Sequence, residues 1–359
     1  MIERYHGVSS INVHLPRIPT VEEGTSRPFW SVMVTVYNRE TYLAGALRSV
    51  LIQDPGPEEM EIVVVDDCSP DVDVRRISDG VSQGRVAVYR RPTNGGLSTT
   101  WTDCVRLARG RWVHILHDDD TVLPGFYESL RAGIENRPEV GAAFTRHLFM
   151  DQDDHWLHLS PLERRTPGIL EDWTEKIFIQ QRIQCPSIVV RREAYERLGG
   201  FHPQLVFALD WDMWKRIAAS YAVWYEPRPL ACYRVHDGSE TKRLAKSGQT
   251  IRDVIESIEY ARHYLPSEQG AEIARRARER LAKDHLRAAR SLADRGRLAA
   301  SFSVVREAFH VSPTLRIGLT GMRTVSAATA QAALRPLKSA ARVGFTALRS
   351  GVRRATPMS

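Results

Sequence analysis

The sequence predicts an α/β fold: a mixed, mainly parallel sheet with flanking helices, followed by a C-terminal α-helical region. Three observations predict it. Short β-branched apolar runs alternate with helix-period segments through the first two-thirds of the chain. Polar or acidic residues follow several of those runs directly, as they do at the carboxyl edge of an open parallel sheet. Beyond about Ser239 strand signals cease and only helical periodicity remains.

Residues 1–29 carry scattered Pro and Gly with no sustained period and form a lead segment. Ser31–Tyr37 (SVMVTVY) suits a strand buried on both faces. Leu43, Ala46, Leu47, Val50 and Leu51 then recur at helical spacing across Tyr42–Ile52. Glu61–Val65 is a second buried strand, closed by the turn-forming Asp67-Cys68-Ser69-Pro70. Strands at Arg85–Tyr89 and Arg111–Leu116 flank a helix near Ser98–Ala108, which implies right-handed parallel crossovers. After Asp120 the rhythm is mixed. Strands are expected at Val140–Phe144, Pro186–Val190, Ala222–Tyr225 and Ala231–Val235, and helices at Gly125–Asn136, Arg192–Leu198 and Trp211–Ser220. Thr250–Leu265 and Glu268–Asp294 read as amphipathic helices, and Gly296–Pro313 as a further packing helix. The expected organisation is an α/β domain at 30–240, a helical extension at 241–314 and a basic amphipathic tail at 315–359.

Composition sets the class. With 43% apolar and 26% charged residues the chain is a folded globular protein. It has no long uncharged apolar run, no signal-peptide pattern, and four scattered cysteines without zinc spacing, all of which fit a reduced, cytoplasmic setting. The net charge of +7 is concentrated at the end: from Ala308 to Ser359 there is no Asp or Glu. Apolar residues mix with Arg there, which suits peripheral contact with an anionic membrane, on the inner face of the cell membrane. Interleaved aromatics are missing, so no nucleic acid is expected as a partner.

The strand ends hold the chemistry. The first delivers Thr35, Tyr37, Asn38 and Glu40; the second Asp66 and Asp67; the fourth His117, Asp118, Asp119 and Asp120. Three consecutive carboxylates repel one another, and Mn²⁺ or Mg²⁺ bridging to phosphate oxygens would relieve that repulsion. An acidic turn capping the next helix is the plain alternative.

The segments VTVYNRETYLAGALRSVL (34–51), EIVVVDDCSPD (61–71), NGGLSTTW (94–101), WVHILHDDDTVLPGFYESL (112–130), RREAYERLGGFHPQLVFALDWDMWKRIA (191–218) and ACYRVHDGSET (231–241) resemble family-2 glycosyltransferases. The resemblance covers about residues 30–240 and implies the GT-A (Rossmann-like) form of the sheet. It implies nucleotide contacts at Thr35, Tyr37, Glu40, Asp67, Gly96 and Asp118. The family's Asp-x-Asp-Asp metal motif falls on His117-Asp118-Asp119-Asp120, with His standing for the first Asp. Asp119 is then the foremost metal ligand, with Asp120 and His236 beside it, and either Asp118 or His117 meets the ribose. Asp210 of LDWDMW takes the place of the catalytic base, and Asp212 is a solvent-facing or orienting residue. The implied reaction moves a sugar from a nucleoside-diphosphate sugar donor to a saccharide or lipid-linked acceptor, with inversion. Trp156, Trp173 and Phe201 are candidate acceptor contacts. Two other readings stand beside this one: a nucleotidyltransferase, for which VTVYNRE offers only Arg39 as a phosphate contact, and a non-catalytic sugar-nucleotide-fold adaptor, which His117 favours.

Overall fold

The computed structural model describes residues 14–247 and 249–324. The chain divides into two compact units, Met1–Ala274 and Arg275–Ser359. Most of the basic tail, from residue 325, lies outside the described residues, and with it the expected membrane-facing surface; residues 315–324 are helical. No helix among the described residues is long and apolar enough to cross a membrane.

The first unit is built in the order β1 (Trp30–Val36), α1 (Leu43–Leu51), β2 (Met60–Asp66), α2 (Val74–Ser82), β3 (Ala87–Arg90), α3 (Gly96–Leu107), β4 (Trp112–His117), β5 (Thr121–Val122) and α4 (Phe126–Ile134). It continues with β6 (Val140–Met150), β7 (Trp156–Leu159), β8 (Gly168–Ile169), α5 (Trp173–Ile179), β9 (Ile188–Arg191), α6 (Arg192–Leu198), α7 (Leu209–Ser220) and β10 (Ala222–Arg234). Helices α8 (Glu240–Ser247) and α9 (Gln249–Ala261) follow, then α10 (Ser267–Asp294) and α11 (Leu298–Val311). In the second unit Ser301 Oγ on α11 donates to the Ala289 carbonyl on α10 at 2.8 Å.

The sheet order is β3-β2-β1-β4-β9-β6-β10-β5. Strands β3, β2, β1 and β4 are mutually parallel, β9 inserts antiparallel to both β4 and β6, and β6 and β10 are again parallel. This is the mixed, mainly parallel GT-A sheet that the sequence predicts. Every residue of β1 is buried, because helices cover both faces of this sheet; Val32, Val34 and Val36 share one cluster with Leu43 and Leu47 of α1 and Phe126 and Leu130 of α4. The chain runs outward from β1 to β3 and returns through α3 to the other side of β1. Neighbouring strands β1 and β4 therefore leave in opposite directions, and a ligand crevice opens between their carboxyl ends.

The short elements β5, β7 and β8 and the helices α5 and α8 are absent from the sequence reading, and three further differences have a clear physical reason. Helix α2 was not expected, although Asp73 caps it by accepting from the Arg76 N–H at 3.0 Å and Val74, Ile77 and Val81 recur on one face. The two short strands read at 222–225 and 231–235 are one strand, β10. Pro227 and Pro229 sit at irregularities in its pairing with β6, where a missing N–H costs no ladder bond. Strand β6 runs on to Met150, well past Phe144, because the second half of β10 pairs with it.

Candidate active site

The crevice is a cavity of about 320 Å³ at the carboxyl ends of β1, β2, β4 and β10, within the usual range for small-molecule sites. Backbone ladders carry its functional residues past the strand ends. The Asp118 N–H donates to the Thr35 carbonyl and the Asp67 N–H to the Val36 carbonyl, each at 3.0 Å. The acidic turn after β4 is thereby fixed beside β1, and the turn after β2 on its other side.

Asp118, Asp119 and Asp120 are all buried. Burial pushes the Asp118 carboxyl well up, Asp119 adds repulsion, and Arg39 only partly offsets both. Asp120 is raised by burial against the opposing hydrogen bond from His117. Burial also opposes ionisation of Asp119, but a hydrogen bond from His236 and the charges of His117 and Arg39 outweigh it and lower its pKa. Arg39 is the local counter-ion: its guanidinium donates to Asp118 at 3.2 Å, to Asp119, and to the Gly238 carbonyl at 3.0 Å.

Ligand atoms of His117, Asp119 and Asp120 lie within 4.8 Å of one another. Asp118 Oδ2 and His117 Nε2 are buried with no hydrogen-bond partner, and Asp120 Oδ2 meets only His117 Nδ1 at 3.4 Å, a costly state that a bound cation would relieve. Two carboxylates and an imidazole suit Mn²⁺, and the carboxylates suit Mg²⁺. The residues present thus fit a divalent ion. The converging triad contains His117 where the sequence reading had His236. His236 instead holds Asp119 at 2.9 Å through Nε2, since the chain after β10 brings its ring against that carboxylate.

Of the expected nucleotide contacts, Thr35, Tyr37, Asp67, Gly96 and Asp118 line the cavity. The Asp67 carboxylate is already engaged: it accepts from the Gly95 and Gly96 N–H groups at 2.8 and 3.0 Å and from Arg91 at 2.6 Å. Its place is to shape the Asn94-Gly95-Gly96 loop, in which Gly96 has φ +70°, a backbone state that favours glycine. Glu40 does not join the cavity. It turns to solvent and pairs with Arg76 of α2 at 3.3 Å, because α2, unread in the sequence, supplies a cation there.

Asp210 lies in the first turn of α7 and also lines the cavity. Burial raises its pKa to about 6, although the Trp211 N–H at 2.5 Å and Gln181 Nε2 at 2.8 Å both favour the carboxylate. Asp210 does not cap α7; the N-cap position is Ala208. Asp212 is not solvent-facing, as one of its two expected roles required. It is fully buried, paired with Arg216 at 3.0 Å and with the Tyr264 hydroxyl at 2.8 Å, and Arg216 in turn ties the Leu198 and Gly200 carbonyls. Trp173 and Phe201 are core residues, so among the three aromatic acceptor candidates only Trp156 exposes a face.

Several cavity residues escaped the sequence reading. Trp101 Nε1 and Thr100 Oγ1 are buried without partners. Arg234 organises the acidic turn: its N–H donates to Asp120 at 2.8 Å, its Nε to the Asp119 carbonyl at 2.8 Å, and its Nη2 to Asp154 at 2.7 Å. The signal for Arg234 was present in the YRVH segment, where only the His was singled out.

A family model described as glycosyl transferase family 2 matches residues 31–199. An uncharacterized glycosyltransferase of Haemophilus influenzae is 26% identical over 246 residues, covering 67% of this chain and 79% of that protein. The succinoglycan biosynthesis protein ExoO of Rhizobium meliloti is 33% identical over 115 residues, covering 32% of this chain and 31% of that protein. The crystal structure of S. aureus TarS 1–349 in complex with UDP-GlcNAc matches with a TM-score of 0.58 at 16% identity, covering 83% of this chain and 90% of that one, a likeness of fold.

Proposed function

We propose that the chain, whose residues 31–199 match the glycosyl transferase family 2 model, is a glycosyltransferase that transfers sugar from a nucleoside-diphosphate sugar to an acceptor hydroxyl with inversion at the anomeric carbon. One observation carries the reading: Asp210, Asp119 and the Thr35–Tyr37–Gly96 wall all line a single cavity of about 320 Å³. The base and ribose lie along Thr35, Tyr37 and Gly96, with Asp118 at the ribose. His117, Asp119 and Asp120 would hold a divalent cation, and His236 and Arg234 orient the turn that carries them. Bound there, the cation would supply charge neutralisation for the diphosphate leaving group. Asp210, with a pKa near 6, is ionised at neutral pH yet basic enough to take the acceptor hydroxyl proton as that oxygen attacks the anomeric carbon. One displacement with a single base inverts the centre, and no covalent sugar–enzyme bond forms.

The acceptor is a saccharide or a lipid-linked saccharide, a reading supported by a relative named for succinoglycan biosynthesis. The donor follows from a panel of sugar nucleotides assayed with Mn²⁺ for release of nucleoside diphosphate. Asp210→Asn is expected to lose transfer by about 10²- to 10⁴-fold while still binding the nucleoside diphosphate. Asp119→Ala is expected to lose Mn²⁺-linked nucleotide binding in calorimetry. Transfer at wild-type rate by Asp210→Asn removes Asp210 as the base; nucleotide uptake indifferent to Mn²⁺ removes the metal.

A further inference from the structure

Residues 201–208, between α6 and α7, have no regular structure, yet Val206 and Phe207 line the cavity and Asp210 follows two residues after the segment ends. Helix α9 backs this stretch with one face. Asp253, Ser257, Tyr260 and Tyr264 are spaced four, three and four residues apart, so they project along one side of α9 and the 3-10 turn Arg262–Tyr264 that extends it. All four bind the stretch that carries Asp210. Ser257 receives Lys215 Nζ on its carbonyl at 2.7 Å and on its hydroxyl at 2.6 Å. The Tyr260 hydroxyl donates to Gln204 at 2.8 Å while its ring stacks on His202 at 4.2 Å, and Tyr264 reaches Asp212.

Asp253 makes the most telling contact. One carboxylate oxygen, Oδ2, accepts the backbone N–H groups of Val206, Phe207 and Ala208 at 2.6, 2.5 and 3.3 Å, and the residue is almost fully buried. Three successive N–H groups turned toward one point form a concavity that attracts an anion, and here a side chain 45 to 47 residues along the chain fills it. Ala208, the N-cap position of α7, has no side-chain acceptor of its own. The shape of the segment entering α7 is therefore set from α9.

We propose that Asp253 is a positioning residue for sugar transfer: it fixes residues 206–208, and through them the place of Asp210 and the acceptor-facing wall of the cavity. The proposal rests on Asp210 being the base. Asp253 touches neither the acidic turn nor the Thr35–Gly96 wall, so its effect falls on turnover and spares donor binding. Displacing a reacting group by about 1 Å costs on the order of 100-fold in rate.

The test compares Asp253→Ala and Asp253→Asn in the full chain. Each is measured for UDP and GDP binding stoichiometry and affinity with Mn²⁺ by calorimetry, and for kcat and donor KM. The amide oxygen of Asn still accepts from the three N–H groups, so that variant is the conservative rescue. The expected result is a kcat loss of about 10- to 100-fold for Asp253→Ala and a clearly smaller loss for Asp253→Asn. Donor KM stays within about twofold and nucleotide stoichiometry stays at the wild-type value. A wild-type kcat in Asp253→Ala overturns the proposal, as does a fall in nucleotide stoichiometry that matches the fall in rate in both variants. If instead Asp210→Asn keeps its activity, the assignment of the base is what fails.

Discussion

Gln181→Ala isolates the electrostatics of the proposed base. Gln181 Nε2 donates to Asp210 Oδ2 at 2.8 Å, a bond that favours the ionised carboxylate. A hydrogen bond to a charged acceptor contributes about 1.5–3 kcal/mol, and a shift of one pKa unit corresponds to about 1.4 kcal/mol. Removing the donor thus raises the Asp210 pKa by roughly one to two units, from about 6 to between roughly 7 and 8. A base works only when ionised, so the acid limb of the rate profile moves toward alkaline pH. For a shift of about 1.5 units the ionised fraction at pH 7 drops from about 90% to about a quarter, a roughly fourfold loss of rate that disappears by about pH 9. The assay is nucleoside diphosphate release at subsaturating donor across pH 5.5 to 9. Gln181 Oε1 also accepts from the Arg182 and Ile183 N–H groups, so the Tm of the variant is measured alongside. An acid limb that stays in place while Tm is unchanged refutes the reasoning.

Two further perturbations test the surroundings of the site. Lys215 is fully buried, and burial lowers its pKa to about 7. Between that value and the ordinary one the unfolded chain binds the extra proton, so stability rises with pH across roughly 7 to 10 and the penalty, on the order of 5 kcal/mol at most, is complete below pH 7. Lys215→Met should therefore gain Tm relative to the wild type more at pH 6 than at pH 9, and an equal difference at both values counts against a desolvated amine. Arg39→Met removes the cation resting on Asp118 and Asp119. Mn²⁺ alone should then bind about two- to fivefold more tightly in calorimetry, the scale of a partly exposed ion pair, and weaker binding would show that Arg39 supports the metal site rather than competing for it.

Much of this protein was legible in the chain itself. A strand buried on both faces needs an unbroken apolar run, so β1, β2 and β4 announce themselves in the sequence. A sheet edge that binds a ligand needs polar groups just beyond such runs, so Thr35, Asp67, Asp118 and Asp119 of the cavity do too. Asp210 lies in the LDWDMW segment that carries the family resemblance, and the structure sets it on the cavity wall. What needed the tertiary structure was every assignment that depends on a distant partner. Glu40 and Asp212 have the same carboxylate chemistry as the site residues, but Arg76 draws the first outward and Arg216 with Tyr264 encloses the second. The prolines of β10 look like a strand break until pairing with β6 admits them at its irregularities. Arg39 meets Asp119 across 80 positions, and Asp253 shapes the entry to α7 from a helix that reads as plain amphipathic packing. Periodicity and local motifs record what a residue does to its neighbours in the chain; charge pairing and capping across the fold depend on distances that exist only once the sheet has formed.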